Sequence, residues 1–295
     1  MNIQLLIVDP QNDFCIAEEE VMSPGGTTLI KTGNQGTLVV PGAAEDMRRV
    51  AAMIDRVGDK FDDIHVTLDS HRLIDISHPK WWKDTAGNPP GPFTLLGMDG
   101  DKIVALDPAN NMAPTDKEYT TYLPSFLDRS RAYLKALAAG GRYPHCIWPP
   151  HCLIGSWGHN IVPELFQALQ RWEDRNFGQT NYVTKGSNPW TEHFSGVKAE
   201  VPDPNDPDTQ VNTKLIQTLE EADIVVVTGE ALSHCVANTA RDIADCFSDP
   251  KYIEKLCLLT DASSNVGGFD FLGDAFMKEM LAKGMKTDTT TNFLA

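Results

Sequence analysis

The 295-residue chain has no apolar run approaching the roughly 20 residues a bilayer-spanning helix needs. Basic residues are also scarce: 25 Lys and Arg stand against 41 Asp and Glu, a formal net charge of -16. Such a chain repels phosphate backbones and anionic lipid headgroups, so neither nucleic acid nor a membrane surface is an expected partner. The opening MNIQLLIVDP carries no basic segment ahead of its short apolar run and reads as a first strand rather than a secretory signal. Six cysteines in so long a chain are too sparse for a disulfide framework. The pairs His145-Cys146 and His151-Cys152 also lack the spacing that lets one turn present two thiolates to zinc. A cytoplasmic protein with reduced thiols is the expectation.

What the chain does contain is a recurrence of short apolar runs. They lie at 3–9, 64–69, 145–148, 181–184, 223–229 and 255–262, and each has the length of a strand. Between them come helical spacings: Met47, Val50, Ile54 and Val57; Ile161, Leu165 and Leu169; Leu215, Ile216 and Leu219; Phe271, Phe276 and Leu281. This alternation predicts an α/β fold, a doubly wound and mostly parallel sheet with helices on both faces. Two insertions are expected in a single domain over 1–295. Residues 16–42 read as a hairpin around a Gly-Asn-Gln-Gly turn, and the Pro-, Gly- and Asp-rich stretch 83–123 reads as a loop able to act as a lid. VPDPNDPD at 201–208 excludes regular structure.

In such sheets ligands bind at the carboxyl ends of the strands, which singles out Asp9, Asp69, His71, His151, Lys185 and Cys235. A carboxylate there can take a proton from a neighbouring thiol, and a lysine beside both can stabilise their negative charge. Taken singly, Asp9 fits a turn, Lys185 a solvated surface and Cys235 a small core residue. Cys235 precedes a helical stretch, where the first turn favours a thiolate. Asp69 and His71, two apart at a strand end, leave the same face when extended. With His151, held beside a Pro-Pro corner, they make a carboxylate and two imidazoles suited to zinc, iron or manganese.

Together VDPQNDF, LDSH, WPPHC, TKGSNPWTEHFSGV and TGEALSHCVANTARD, in this order, resemble the cysteine hydrolases of the isochorismatase-like superfamily, and within it the nicotinamidases. The resemblance implies a triad of Asp9, Lys185 and Cys235, and an oxyanion hole from the backbone N–H groups of Ala231 and Cys235 beside a cis Glu230–Ala231 bond. It further implies a divalent transition metal, zinc first, on Asp69, His71 and His151. Asp75 stands where the family usually carries another histidine, and His78 is not assigned to the metal. Ser233 and His234 replace the acidic and aromatic residues often found before the cysteine. Phe14 or Trp82 is the expected apolar wall for an aromatic ring. The implied reaction takes nicotinamide to nicotinic acid and ammonia through a thioester, a step in pyridine-nucleotide salvage, by an enzyme that is often a homo-oligomer. Two rival readings stand beside it: a related hydrolase of another amide or ureido substrate, and a catalytically silent binding protein of the same fold.

Overall fold

The computed structural model describes residues 1–23 and 29–295. In chain order, β1 (Ile3–Val8) is followed by a short α1 (Asn12–Cys15), the pair β2 (Glu20–Met22) and β3 (Leu29–Lys31), α2 (Ala43–Val57) and β4 (Asp63–Asp69). Next come β5 (Trp82–Asp84), β6 (Leu95–Asp99), β7 (Lys102–Asp107), β8 (Ala113–Thr121), α3 (Leu127–Gly140) and β9 (His145–Cys146). The chain closes with α4 (Pro163–Asn176), β10 (Asn181–Lys185), α5 (Thr213–Glu221), β11 (Ile224–Gly229), α6 (Ala237–Cys246), β12 (Leu256–Leu259), α7 (Asp270–Lys283) and β13 (Lys286–Asp288).

Six strands form the parallel sheet in the order β10-β4-β1-β11-β12-β13. All six residues of β1 are buried, so both faces of the sheet are covered at its centre, as continuous apolar runs require. Met47, Val50 and Ile54 of α2, Leu165 and Leu169 of α4, Leu219 of α5, Ile243 of α6 and Phe276 of α7 share that core. Pro163 at the first position of α4 starts that helix two residues after Ile161. In α7 the buried face is Gly273, Phe276 and Met280, whereas Phe271 and Leu281 are exposed. Steps of five residues turn by about 500° and drift off one face, while steps of three and four stay on it. Among the described residues no helix is long and apolar enough to cross a membrane.

The stretch 83–123 is not a lid. It supplies most of a second, antiparallel sheet in the order β5-β8-β7-β6-β9. Asp99 pairs with Lys102 across a two-residue turn in which Gly100 has φ +59°, a backbone that favours glycine. The run at 145–148 belongs here too, because β9 pairs with β6 and the chain then meets Pro149 and Pro150. This sheet and α3 enclose a second core of Ile76, Trp81, Trp82, Leu96, Tyr133 and Leu137. The predicted hairpin over 16–42 is present as β2 paired antiparallel with β3. The residues joining these strands, 24–28, lie outside the described residues, and the Gly-Asn-Gln-Gly stretch at 33–36 follows β3 rather than joining the two strands. The run after 36 forms no strand because its backbone bonds elsewhere: Leu38 N donates to Asp13 O and Val40 N to Phe14 O. Only one 3-10 turn, Pro207–Thr209, interrupts the irregular 201–208 segment.

Trp82 therefore belongs to the second core, with its indole N–H donating to Ile76 O at 2.7 Å. Trp82→Ala is expected to lower the unfolding free energy by about 3–5 kcal/mol, read by urea denaturation followed by circular dichroism. A loss under about 1 kcal/mol would contradict this placement.

Candidate active site

Four adjacent strands, β10, β4, β1 and β11, end at one edge of the parallel sheet, and each delivers a side chain or turn to the same point. Asp9 follows β1 with φ +45° and is fully buried. Thr67 of β4 fixes it twice: Asp9 N donates to Thr67 Oγ1 at 3.0 Å, and that hydroxyl donates to Asp9 Oδ1 at 2.6 Å. Lys185 ends β10, and its buried Nζ lies 2.9 Å from Asp9 Oδ2, 3.1 Å from Asp69 Oδ1 and 3.7 Å from Cys235 Sγ. It also donates to His193 O at 3.0 Å. Gly186 is next, with φ +79°; a Cβ there would lie 2.8 Å from Asp69 Oδ1, so only glycine lets the chain leave β10 this close to the cluster.

Beyond β11, the cis Glu230–Ala231 peptide leads into a single π-helical turn, Leu232–Val236, that runs on into α6. Cys235 sits in this turn. Burial pushes its thiol well above the ordinary value, Lys185 pulls it back, and Asp9 and Asp69 push it up again. The thiolate expected at a helix start is thus not the resting form, because desolvation outweighs the cation. Burial likewise raises Asp9 against the pull of Lys185. Burial alone would lower Lys185, but Asp69, Asp9 and Cys235 hold its pKa well above the usual lysine value.

The second cluster shares Asp69. Its Oδ2 lies 3.2 Å from His71 Nε2 and 3.3 Å from His151 Nε2, and these three ligand atoms lie within 4.8 Å of one another. The other nitrogen of each ring is committed outward, His71 Nδ1 to Asp75 Oδ2 at 3.2 Å and His151 Nδ1 to Pro149 O at 2.8 Å. Both Nε2 atoms are thereby aimed at Asp69, the arrangement in which outer partners orient metal-binding imidazoles. His78 packs against both rings, 5.1 Å from His71 and 5.4 Å from His151 between centroids. Its Nδ1 faces Arg72 O, while its buried Nε2 has no partner. Burial first, then His71 and His151, depress His78 to about 3, so it is a neutral imidazole with a nitrogen to offer. This donor set fits a transition-metal ion, and Asp75 acts through His71 rather than as a ligand.

Several neighbours escape a reading by residue type. Gln11 clamps the backbone of Asp69, with Nε2 donating to Asp69 O and Asp69 N donating to Oε1, both at 2.7 Å. Asp13 Oδ2 accepts from Cys152 N at 2.6 Å and Oδ1 from Thr37 N at 3.1 Å, joining α1 to the His151 loop and to the 36–40 segment. The cavity over Cys235 is tight, about 30 Å³, and is walled by Phe14, Trp148, Phe194, Val40 and His234. Phe14 lies where the sequence predicts; Trp148, not Trp82, is the tryptophan of the wall, and its position three residues before His151 is the signal that points to it. Glu192 also faces this cavity, with Oε1 accepting from His193 N and Oε2 buried without a partner. Larger hollows flank β10 near Thr180 and Lys214, but the catalytic-type groups converge only on the cavity above Cys235 among the described residues.

No protein-family model and no curated protein sequence matches the chain. Solved structures do resemble it. The yeast nicotinamidase superposes with a TM-score of 0.59 at 18% identity, over 97% of this chain and 98% of that one. The Acinetobacter baumannii nicotinamidase/pyrazinamidase gives 0.58 at 19%, over 99% and 98%. The zinc complex of the Pyrococcus horikoshii pyrazinamidase gives 0.51 at 18%, over 98% and 99%. The fold is therefore that of an amide-hydrolase class. More narrowly, it is the fold shared by nicotinamidases and pyrazinamidases.

Burial raises the Glu192 carboxyl to about 7, with Asp69 and Asp75 adding to the shift and His71 opposing it. The folded state thus favours the protonated form, a contribution present below about pH 4.5 and lost as pH rises through about 7. In metal-free protein, Glu192→Gln is expected to match wild type at pH 4.5 and to exceed it by about 2–3 kcal/mol at pH 8, measured by urea denaturation at both values. Equal stabilities at pH 8 would contradict the shift.

Proposed function

We propose that this protein is a cysteine amidohydrolase that converts nicotinamide to nicotinic acid and ammonia. The observation that carries the reading is the position of Lys185 Nζ, in reach of Asp9, Asp69 and the Cys235 sulfur at once. Asp9 takes the thiol proton as Sγ attacks the carboxamide carbon, and its raised pKa makes it a better base than an exposed carboxylate. Lys185 keeps the pair from separating charge into an apolar site without compensation. The carbonyl oxygen becomes an oxyanion held by the backbone N–H groups of Ala231 and Cys235, donors each worth about a hundredfold in rate. Collapse breaks the C–N bond, and Asp9 returns the proton to the departing nitrogen, which leaves as ammonia. Water then adds to the thioester carbonyl with Asp9 accepting its proton, and the second collapse releases the acid and restores the thiol.

Asp69, His71 and His151 would hold a divalent transition metal, zinc by preference and otherwise iron or manganese, with His78 alongside. When bound, such an ion supplies an electron-pair acceptor for a heteroaromatic ring nitrogen. His71 must give up its proton for this, since Asp69 and Asp75 outweigh burial and hold its pKa well above the ordinary value in the metal-free site. Phe14, Trp148 and Phe194 supply flat apolar walls for a single ring. Leu38 and Val40 of the 36–40 segment close the same cavity, which favours as a second reading another small aromatic amide rather than a larger substrate.

Cys235→Ala is expected to fold normally and to lose at least about a thousandfold in ammonia release from nicotinamide, assayed with nicotinic acid formation. Full activity in that variant would end the reading. Protein prepared without chelators is expected to contain one equivalent of transition metal by elemental analysis, lost in His71→Ala; metal-free active enzyme would refute the metal assignment.

A further inference from the structure

A second hollow, of about 680 Å³, opens where α1, the end of β4, β10 and the start of α4 meet the 157–161 loop. Its size is that of an ordinary small-molecule site, roughly 300–1,000 Å³. None of its lining residues lines the cavity over Cys235. Trp157, Phe166 and Tyr182 give it three aromatic side chains, and Leu68, Ile161 and Pro163 complete an apolar wall. Phe166 and Tyr182 are exposed, so the protein's own core does not cover these faces.

Two polar groups in the same wall call for a donor. Asn12 is buried, and its Nδ2 is spent on Trp157 O at 2.8 Å. The amide oxygen, Oδ1, is then left buried with no donor among the described residues, which is costly unless a ligand supplies one. Glu19 adds a carboxylate held in place by three donors: Thr32 Oγ1 at 2.7 Å, Asn34 Nδ2 at 2.9 Å and Trp157 Nε1 at 2.9 Å. These hydrogen bonds, that of Thr32 first, keep its pKa below the ordinary glutamate value, so the group is ionised at pH 7. No lysine or arginine lines the hollow among the described residues. A phosphate or carboxylate ligand would therefore meet a like charge and no cation, on a chain whose formal charge is already -16. An aromatic cation meets the reverse, with ring faces for stacking and cation–π contact, a fixed counter-charge and an unpaired acceptor for its N–H.

We propose that this hollow is a second ligand site, separate from the catalytic cavity, for a flat aromatic ring that carries a cationic N–H head, the chemistry of an arylamidine or aryl amine. The ring lies against Trp157, Phe166 and Tyr182, and the head turns to Glu19 and Asn12, both of which bond Trp157.

Benzamidine is the probe, with benzamide as the neutral and benzoate as the anionic molecule of the same shape. Titration calorimetry on the full chain is expected to show benzamidine binding at least about tenfold more tightly than benzoate. Phe166→Ala and Tyr182→Ala, changes at exposed positions, are each expected to weaken it about three- to tenfold, the worth of one aromatic contact. Glu19→Gln keeps the shape of the side chain and is expected to weaken benzamidine about threefold while moving benzamide by less than about twofold. Saturating nicotinamide and Cys235→Ala are expected to leave benzamidine binding unchanged. Affinity for benzamidine that all three wall variants leave unchanged overturns the proposal, as does benzoate binding as tightly as benzamidine, or no benzamidine binding at millimolar concentration. Displacement by nicotinamide, with those three variants without effect, puts the amidine in the cavity over Cys235 and overturns it too. Because binding and not ammonia release is measured, each outcome is independent of the amidohydrolase reading.

Discussion

The structure of the site depends on one buried ammonium. Lys185 is 2% exposed at the end of an edge strand, and removing such a charge from water costs several kcal/mol. That cost is tolerable only because Asp9 and Asp69 arrive from β1 and β4 within 2.9 and 3.1 Å. The dependence is mutual. Without the lysine, two carboxylates would face each other in an apolar pocket, and both would resist ionisation. The register of three strands is therefore tied to a charge balance as well as to packing.

The same ion joins two chemistries. Asp69 turns Oδ1 to Lys185 and Oδ2 to His71 and His151, so the carboxylate that completes the histidine cluster also helps neutralise Lys185. Any change in charge at the histidines is then felt at Asp9 and Cys235 through a single shared residue. Gln11 has a matching role in the backbone, because its amide holds Asp69 as a neighbouring strand would. The DPQNDF segment, ordinary turn chemistry by composition, thus supplies a carboxylate partner for Lys185, a clamp on Asp69 and, through Asp13, a tether for the His151 loop.

Which of these features can be read from sequence follows from how each is specified. Asp9, Asp69, Lys185 and Cys235 are legible because buried parallel strands are continuous apolar runs, and the residue after such a run lies at the ligand edge. The second sheet is hidden because its strands are short or only partly buried. In β8 the charged residues Asp116, Lys117 and Glu118 crowd the exposed part of the strand, and the segment looks like a loop although Gly100 marks a tight hairpin. Trp82 and Trp148 look equivalent as aromatic residues near histidines. What separates them is the antiparallel sheet, which carries Trp82 into its own core. The unpaired atoms of Glu192 and His78 leave no trace in residue type, since being unpaired is a property of the surroundings.

The cavity itself has two unlike walls. Strand ends provide the charged one, where Lys185 and Asp69 are held ionised by each other. The 36–40 segment, Trp148, Phe194 and the π-turn provide a wall whose polar groups are neutral, His234 and the protonated form of Glu192 among them. A flat amide bound between the two would have its reacting carbon on the ionic side and its ring against neutral donors and apolar faces. Low polarity on the ring side strengthens the charge interactions on the other, because little water remains to screen them. Desolvation thus accounts for both the high thiol pKa of Cys235 and the strength of the field that a charge developing beside it would meet. A site that burial makes reluctant to ionise is, for the same reason, one in which any charge that does form is strongly felt by its neighbours.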